Sequence, residues 1–388
     1  MGSIAVCSVI PPHILRSIAE RGDASARRDA QASLDLSAAF RGERLAVAVL
    51  AGPPLLPSAT RRRTIFDARN ATELPGKRVR SEGTPRSNDA AVNEAYESAG
   101  ATLEFFRRAY ERNSLDGCGL RLDATVHYGV RHDNAIWNGI QLIYGDGDGR
   151  YFRRFTGAID VAAHELTHGI VQYTAALDYQ GQSGALNEHF ADVFGVLAKQ
   201  YSAKQTAARA DWLVGAGIFT RRVKGDAVRS MKAPGTAYDD PILGRDPQPA
   251  HMRDYFKTRL DNGGVHVNSG IPNHAFFQVA TLLGGKAWDV SGRIWYRALT
   301  QLLRSKSTFQ DCADATYEAA ATLFGRSSAP HQAVLAGWKA VGITLSESVI
   351  RRGPRLQIKA AEAFHPPAGG AEVSVEIPLL RVSEGTEC

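Results

Sequence analysis

His164 and His168 stand four residues apart in Val161-Ala-Ala-His164-Glu165-Leu-Thr-His168-Gly-Ile-Val. On a helix that spacing puts two imidazoles on one face, where they can share one metal ion. Glu165 is one residue along, beside that face, where a carboxylate can take a proton from a water activated by the ion. Chance, or two histidines on a solvated helix face, would give the same letters. The next segment, Gly184-Ala-Leu-Asn187-Glu188-His-Phe-Ala-Asp192-Val-Phe-Gly, weighs against both. A catalytic zinc takes three protein ligands and keeps a fourth position open, and Glu188 completes the set on a separate helix. Asp192, four residues on, shares the face of Glu188 and can accept the spare N–H of a ligating histidine. Asn187 joins it behind the ligands. Phe190, Val193, Phe194 and Leu197 surround these carboxylates, so burial there is costly unless they are paired or metal-bound.

Around this centre the chain is organised in stages. It has 388 residues, 46 Lys+Arg against 40 Asp+Glu, a net charge of +6 and 44% hydrophobic residues. That composition excludes wholesale disorder and leaves room for two or three domains. No apolar run reaches ~18 residues, so no membrane insertion is expected. The N-terminus lacks a basic segment before its short apolar run, which makes a poor signal peptide. Four scattered cysteines, Cys7, Cys118, Cys312 and Cys388, do not suggest a disulfide framework or a cysteine zinc site. No aromatic-basic module points to nucleic acid.

Residues 1–50 read as a small unit: a helix after Pro11-Pro12, a polar helix from Ser25 to Phe40, and an apolar run from Leu45 to Leu50 that stops at Gly52-Pro53-Pro54. The arginine-rich stretch 55–90 reads as a solvated linker, the kind of place where a propeptide is cut. A helix is expected over Asn93 to Arg112 and strands over Thr125–Val130 and Ile140–Tyr144. Gly145-Asp-Gly-Asp-Gly149 reads as a turn, since Gly157 stands where a calcium loop needs its bidentate glutamate. Helices follow at 159–174, 185–202, 272–284, 289–304, 308–324 and 330–341, with 205–270 looped. Residues 351–388 look like an appendage.

From Asn88 to Ile343 the chain resembles the thermolysin family of zinc peptidases. His164 to His168 matches the family's His-Glu-Leu-Thr-His, and Gly184 to Glu188 its Gly-Ala-x-Asn-Glu. The resemblance implies zinc ligands His164, His168 and Glu188, with Glu165 as general base. It implies that Asn134, Ala135 and Trp137, in Asn134-Ala-Ile-Trp137, belong to an edge strand that pairs with the substrate backbone. Asp261-Asn-Gly-Gly-Val-His266 looks like the segment with a transition-state histidine and its aspartate. Tyr179 matches the tyrosine that assists it, and Arg229 an arginine that binds a substrate carbonyl. Phe152, Phe155, Val161 and Val228 would line an apolar pocket for the side chain just after the cut bond. Physically, attack on an amide makes an oxyanion, which an imidazolium at His266 and the phenol of Tyr179 would stabilise by hydrogen bonds.

Two departures stand out. The family's calcium cluster keeps Asp160 and Asp211, but other acidic positions hold Lys199, Leu213 and Ala216, so calcium binding is expected to be absent or weak. The short N-terminus, Cys7-Ser-Val-Ile-Pro-Pro-His-Ile-Leu15, resembles protealysin-like precursors, whose compact propeptide covers the cleft until removed. Cys7 could bind zinc as a thiolate, though an incidental cysteine is the simpler reading.

The expected fold is α+β, a two-lobed thermolysin-like zincin. A propeptide spans residues 1–60 and a mixed lobe with antiparallel sheet, beginning in the basic linker, residues 61–158. A mainly helical lobe occupies 159–345 and an extension of unknown role 346–388. The expected activity is zinc-dependent endopeptidase on protein or peptide substrates, by a monomer made as a zymogen. Secretion is expected by a route not visible in the sequence, cytoplasmic retention being the alternative. The rivals are a pseudo-protease that binds or inhibits a partner, and an aminopeptidase, for which no acidic α-amine site is evident.

Overall fold

The computed structural model describes residues 7–50 and 62–350, with side chains from 8–40 and 62–350. The N-terminal part begins with strand β1 (Cys7–Ser8), then helices α1 (Pro12–Arg21) and α2 (Ala24–Leu50). Pro12 opens α1 where its missing N–H costs nothing, and Ile14, Leu15 and Ile18 form its buried face. The apolar run Leu45–Leu50 continues α2.

A six-stranded sheet follows, in the order β1-β5-β6-β4-β2-β3. Its other strands are β2 (Arg63–Asp67), β3 (Lys77–Ser81), β4 (Leu122–Val126), β5 (Ala135–Trp137) and β6 (Leu142–Tyr144). β2 and β3 correct the expectation of a solvated linker over this stretch. β2 runs parallel to β4 and antiparallel to β3, so its backbone is paired on both sides. Arg63 of β2 holds Glu82 through Nε at 2.7 Å, and Arg80 of β3 donates to Asn93 at 2.7 Å while lying over the Tyr96 ring. The sheet is mixed, with parallel pairs β2–β4 and β4–β6 beside antiparallel ones.

Helix α3 (Ala90–Tyr110) packs on the sheet, capped by Asp89, which accepts from the N–H groups of Ala91 and Val92. The Gly145–Gly149 segment is a turn, in which Asp148 Oδ1 accepts the N–H groups of Arg150, Tyr151 and Phe152. The helical lobe is built on α4 (Ile159–Gln172) and α5 (Gly181–Ser202), both almost wholly buried. It continues through α6 (Asp261–Asn268), α7 (Gly270–Leu283), α8 (Ser291–Arg297), α9 (Phe309–Phe324) and α10 (Ala329–Ala340). A π turn over Ala298–Leu302 extends α8, and the segment 205–270 expected to be looped holds two short antiparallel ladders, Leu213–Val214 with Arg229–Ser230 and Asp239–Asp240 with Gly244–Arg245, before α6. Residues 351–388, and so the expected extension, lie outside the described part.

Candidate active site

α4 carries His164 and His168 on the face turned toward α5, and their Nε2 atoms are 3.1 Å apart. Glu188 of α5 approaches from the facing helix, 3.5 Å from His164 Nε2 and 3.6 Å from His168 Nε2. The three ligand atoms lie within 4.8 Å of one another and all three residues are buried. Behind the histidines, His168 Nδ1 is hydrogen-bonded to Asn187 Oδ1 at 2.8 Å, and His164 Nδ1 lies at ion-pair distance, 2.9 Å, from Asp192 Oδ1. Both Nε2 lone pairs are thereby turned to one point, and Glu188 Oε2 is buried without a hydrogen-bond partner. A His, His, carboxylate donor set with aimed nitrogens fits zinc and leaves a fourth position open.

Glu165 meets the sheet at β5. Its Oε2 accepts the Trp137 N–H of β5 at 2.8 Å, while Oε1 has no partner. Complete burial pushes its pKa up from the ordinary carboxylate range.

On the other side of the cleft stand Tyr179 and His266. The Tyr179 hydroxyl donates to Glu188 and lies 3.3 Å from His266 Nε2. His266 Nδ1 is 2.8 Å from Asp261 Oδ1, and Asp261 Oδ2 accepts the His266 N–H at 3.0 Å. This double contact requires a tight reversal between the two residues. Asn262, Gly263 and Gly264 make it with φ of 49°, 85° and 76°, a left-handed run that glycine adopts without strain. Burial disfavours charge on His266, but Asp261 and Glu188 outweigh it and raise the pKa to about 9.

Arg229 is buried against Asp192, donating from Nε and NH2 at 2.9 and 2.8 Å. Burial opposes ionisation of Asp192, yet Arg229 and His164 hold its carboxyl well below the ordinary range. Arg229 NH1 points away from Asp192, to the N-terminal segment.

The N-terminal segment occupies that cleft. β1 is antiparallel to β5, with Cys7 opposite Trp137 and Ser8 opposite Ile136. His266 Nε2 donates to the Ser8 carbonyl at 3.0 Å, and the Val9 N–H donates to the Ala135 carbonyl at 3.2 Å. Arg229 donates to the Val9 carbonyl at 2.8 Å. Asn134 takes both sides of the next residue, accepting the Ile10 N–H at 2.9 Å and donating to its carbonyl at 3.3 Å. Each expected backbone-binding residue therefore already holds a peptide. Phe152, Phe155, Val161 and Val228 are fully buried in the core that also receives Val9 and Ile10. An open cavity of about 230 Å³ beside Ser8 is lined by Tyr179, Arg259, Asp261 and His266.

Several participants carry no sequence signal. Asn273, His189 and Trp295 sit behind Asp192. The one hint is a polar residue on the buried, apolar face of α7. His13 of α1 is 2.9 Å from the Tyr238 hydroxyl, fastening the N-terminal unit beside the cleft. Cys312 is a buried free thiol, whereas Cys118 is disulfide-bonded, so the cysteines are not all idle. The reading of Cys7 falls outside the described side chains.

Two family models match, "Thermolysin metallopeptidase, catalytic domain" over residues 56–172 and "Thermolysin metallopeptidase, alpha-helical domain" over 175–343. An extracellular metalloprotease of Pectobacterium carotovorum subsp. carotovorum is 47% identical, across 90% of this chain and all of its own. A thermolysin of Alicyclobacillus acidocaldarius is 40% identical, across 72% of this chain and 50% of its own. The solved precursor of protealysin from Serratia proteamaculans superposes with a TM-score of 0.79 at 47% identity, covering 87% of this chain and all of that one. This chain belongs to the thermolysin family of zinc metallopeptidases. It is a metalloendopeptidase of protealysin-like type, made as a zymogen.

Proposed function

We propose that His164, His168 and Glu188 hold a single catalytic zinc, and that the chain hydrolyses peptide bonds preceding a bulky apolar residue. The observation that carries this reading is the course of Ser8–Ile10 across the cleft. A peptide held in that register places one carbonyl beside His266 and Tyr179, the following N–H on Ala135, and the next carbonyl on Arg229. When bound, zinc supplies Lewis acidity to the carbonyl oxygen and to the attacking water. Glu165 takes the water proton and returns it to the leaving nitrogen. His266, kept cationic by Asp261, and Tyr179 donate to the oxygen as negative charge develops there. Phe152, Phe155, Val161 and Val228 form the apolar wall met by the side chain after the cut bond.

Residues 1–60 act as the propeptide, and the catalytic unit begins with the sheet at Arg63 and runs to about residue 345. The extracellular name of the Pectobacterium relative supports secretion of this chain as well. Calcium binding beside Asp160 and Asp211 is absent or weak, because Lys199 takes their oxygens. The test is hydrolysis by the processed chain, with zinc content measured, of blocked peptides differing only after the cut bond. Cleavage is expected before Leu or Phe well ahead of Gly or Asp. A zinc-loaded, processed chain that cuts none of them would be a binding module.

A further inference from the structure

Behind Asp192 a second line of buried polar groups leads away from the metal site. Asn273 Nδ2 donates to Asp192 Oδ2 at 2.8 Å. Asn273 Oδ1 is therefore an acceptor, so the His189 Nδ1 that meets it at 2.8 Å carries the hydrogen. An indole N–H can only donate, and that of Trp295 reaches His189 Nε2 at 2.8 Å. All four side chains are completely buried. The direction of every hydrogen is thus settled: Trp295 to His189, His189 to Asn273, Asn273 to Asp192. The line begins on α8, crosses α5 and α7, and ends on the carboxylate that faces His164 Nδ1 at 2.9 Å.

A carboxylate offers about four acceptor positions. On Asp192, Arg229 takes two with its fork, His164 meets a third, and Asn273 fills the fourth. Without Asn273 one position on Oδ2 loses its partner, so the carboxylate can pivot on the Arg229 fork and carry the oxygen behind His164 with it. We infer that Asn273 and His189, braced by Trp295, are positioning residues that fix Asp192 and thereby aim His164 Nε2 at the zinc. This rests on the zinc reading of the site. Outer partners of metal ligands typically contribute 10–100-fold to metal affinity.

The experiment measures zinc affinity by chelator competition, with every variant in a Glu165→Ala background so that turnover and self-cleavage play no part. Asn273→Leu and His189→Leu should each bind zinc about tenfold more weakly than the parent. His189→Asn should stay within about twofold, because its amide can stand in the place of ring Nδ1 and donate to Asn273. Melting is followed with zinc and with chelator, and the stabilisation added by zinc should shrink in the two leucine variants. Unchanged zinc affinity in folded His189→Leu, or an equal loss in His189→Asn, overturns the proposal. If the leucine variants do not fold, Trp295→Phe decides, with about threefold weaker binding expected and parental affinity overturning it. A parent that takes up no zinc refutes the metal site and this proposal together, which is a different outcome from a tight-binding His189→Leu.

Discussion

The Lys199 ammonium lies 3.3 Å from Oδ2 of the buried Asp160, in the first turn of the metal-binding helix. It also donates to Asp211 Oδ1 at 2.8 Å and to the Leu213 carbonyl at 2.6 Å. One cation of the chain itself thus gathers oxygens that could otherwise ligate a metal, and Asp160 further accepts the Gly215 N–H at 3.0 Å. A divalent calcium ion placed here would meet a like charge at ~4 Å, worth about 8 kcal/mol of repulsion near a protein surface. Thermal stability is therefore expected to be nearly independent of calcium while activity requires zinc. Melting is compared in millimolar calcium and in a calcium-selective chelator, at constant zinc. A shift above about 5 °C, roughly 1–2 kcal/mol or more, would reveal a surviving calcium site.

Glu165→Ala should retain zinc, because no ligand is touched, and lose about 10²–10⁴-fold in turnover. Zinc content by metal analysis and hydrolysis of a blocked peptide check both halves. Near-normal hydrolysis would remove Glu165 from the mechanism.

Propeptide cleavage is expected between Leu50 and Arg62. α2 runs to Leu50, and β2, paired on both sides, starts at Arg63, so a cut farther along would sever an interior strand. N-terminal sequencing of the mature chain locates the site. The purified Glu165→Ala zymogen should remain uncut when no other protease is present, and spontaneous maturation of that variant refutes self-processing.

Deleting residues 1–10 should give a chain that hydrolyses peptide before any processing, since the hydrogen bonds to His266, Ala135, Arg229 and Asn134 all come from Ser8, Val9 and Ile10. The check is peptide turnover by the uncut deletion variant. Continued silence would mean that α1 and α2 block the cleft by themselves.

His127 ties two loops together, its Nδ1 2.8 Å from Asp146 and its Nε2 2.8 Å from Asp89, the N-cap of α3. The Asp146 hydrogen bond leads the effects that raise its pKa to about 9, against partial burial. Folding thus favours the protonated ring. The stabilisation is fully present below the unfolded pKa of about 6.5 and disappears as pH rises through about 9. His127→Asn suits the left-handed φ of 53° at this position. Between pH 6 and 10 the melting temperature of the parent should fall further than that of this variant. Parallel curves would show that the ring does not titrate in this range.

The metal ligands were legible because two of them are fixed by helical spacing and the third falls on the next apolar helix. Position 266 was legible only in company, since a histidine after two glycines says little until Asp261 and Tyr179 are placed beside it. β2 and β3 were not legible, because Arg63 and Arg80 suggest solvent, and the groups that pair them, Glu82, Asn93 and the Tyr96 ring, sit on other elements. The line through Asn273 and His189 was hidden for the same reason. Its members are 84 and 106 residues apart, and only the packing of three helices brings them together.

The placement of β1 at the margin of the sheet has a consequence for the life of the chain before it matures. With β1 in place, β5 is an interior strand. Once β1 leaves, β5 becomes a bare edge with unpaired N–H and C=O groups, the kind of surface on which chains add to one another and aggregate. The same unpaired groups are what a substrate needs. The newly made protein therefore keeps this strip covered by its own chain, and exposes it only at maturation.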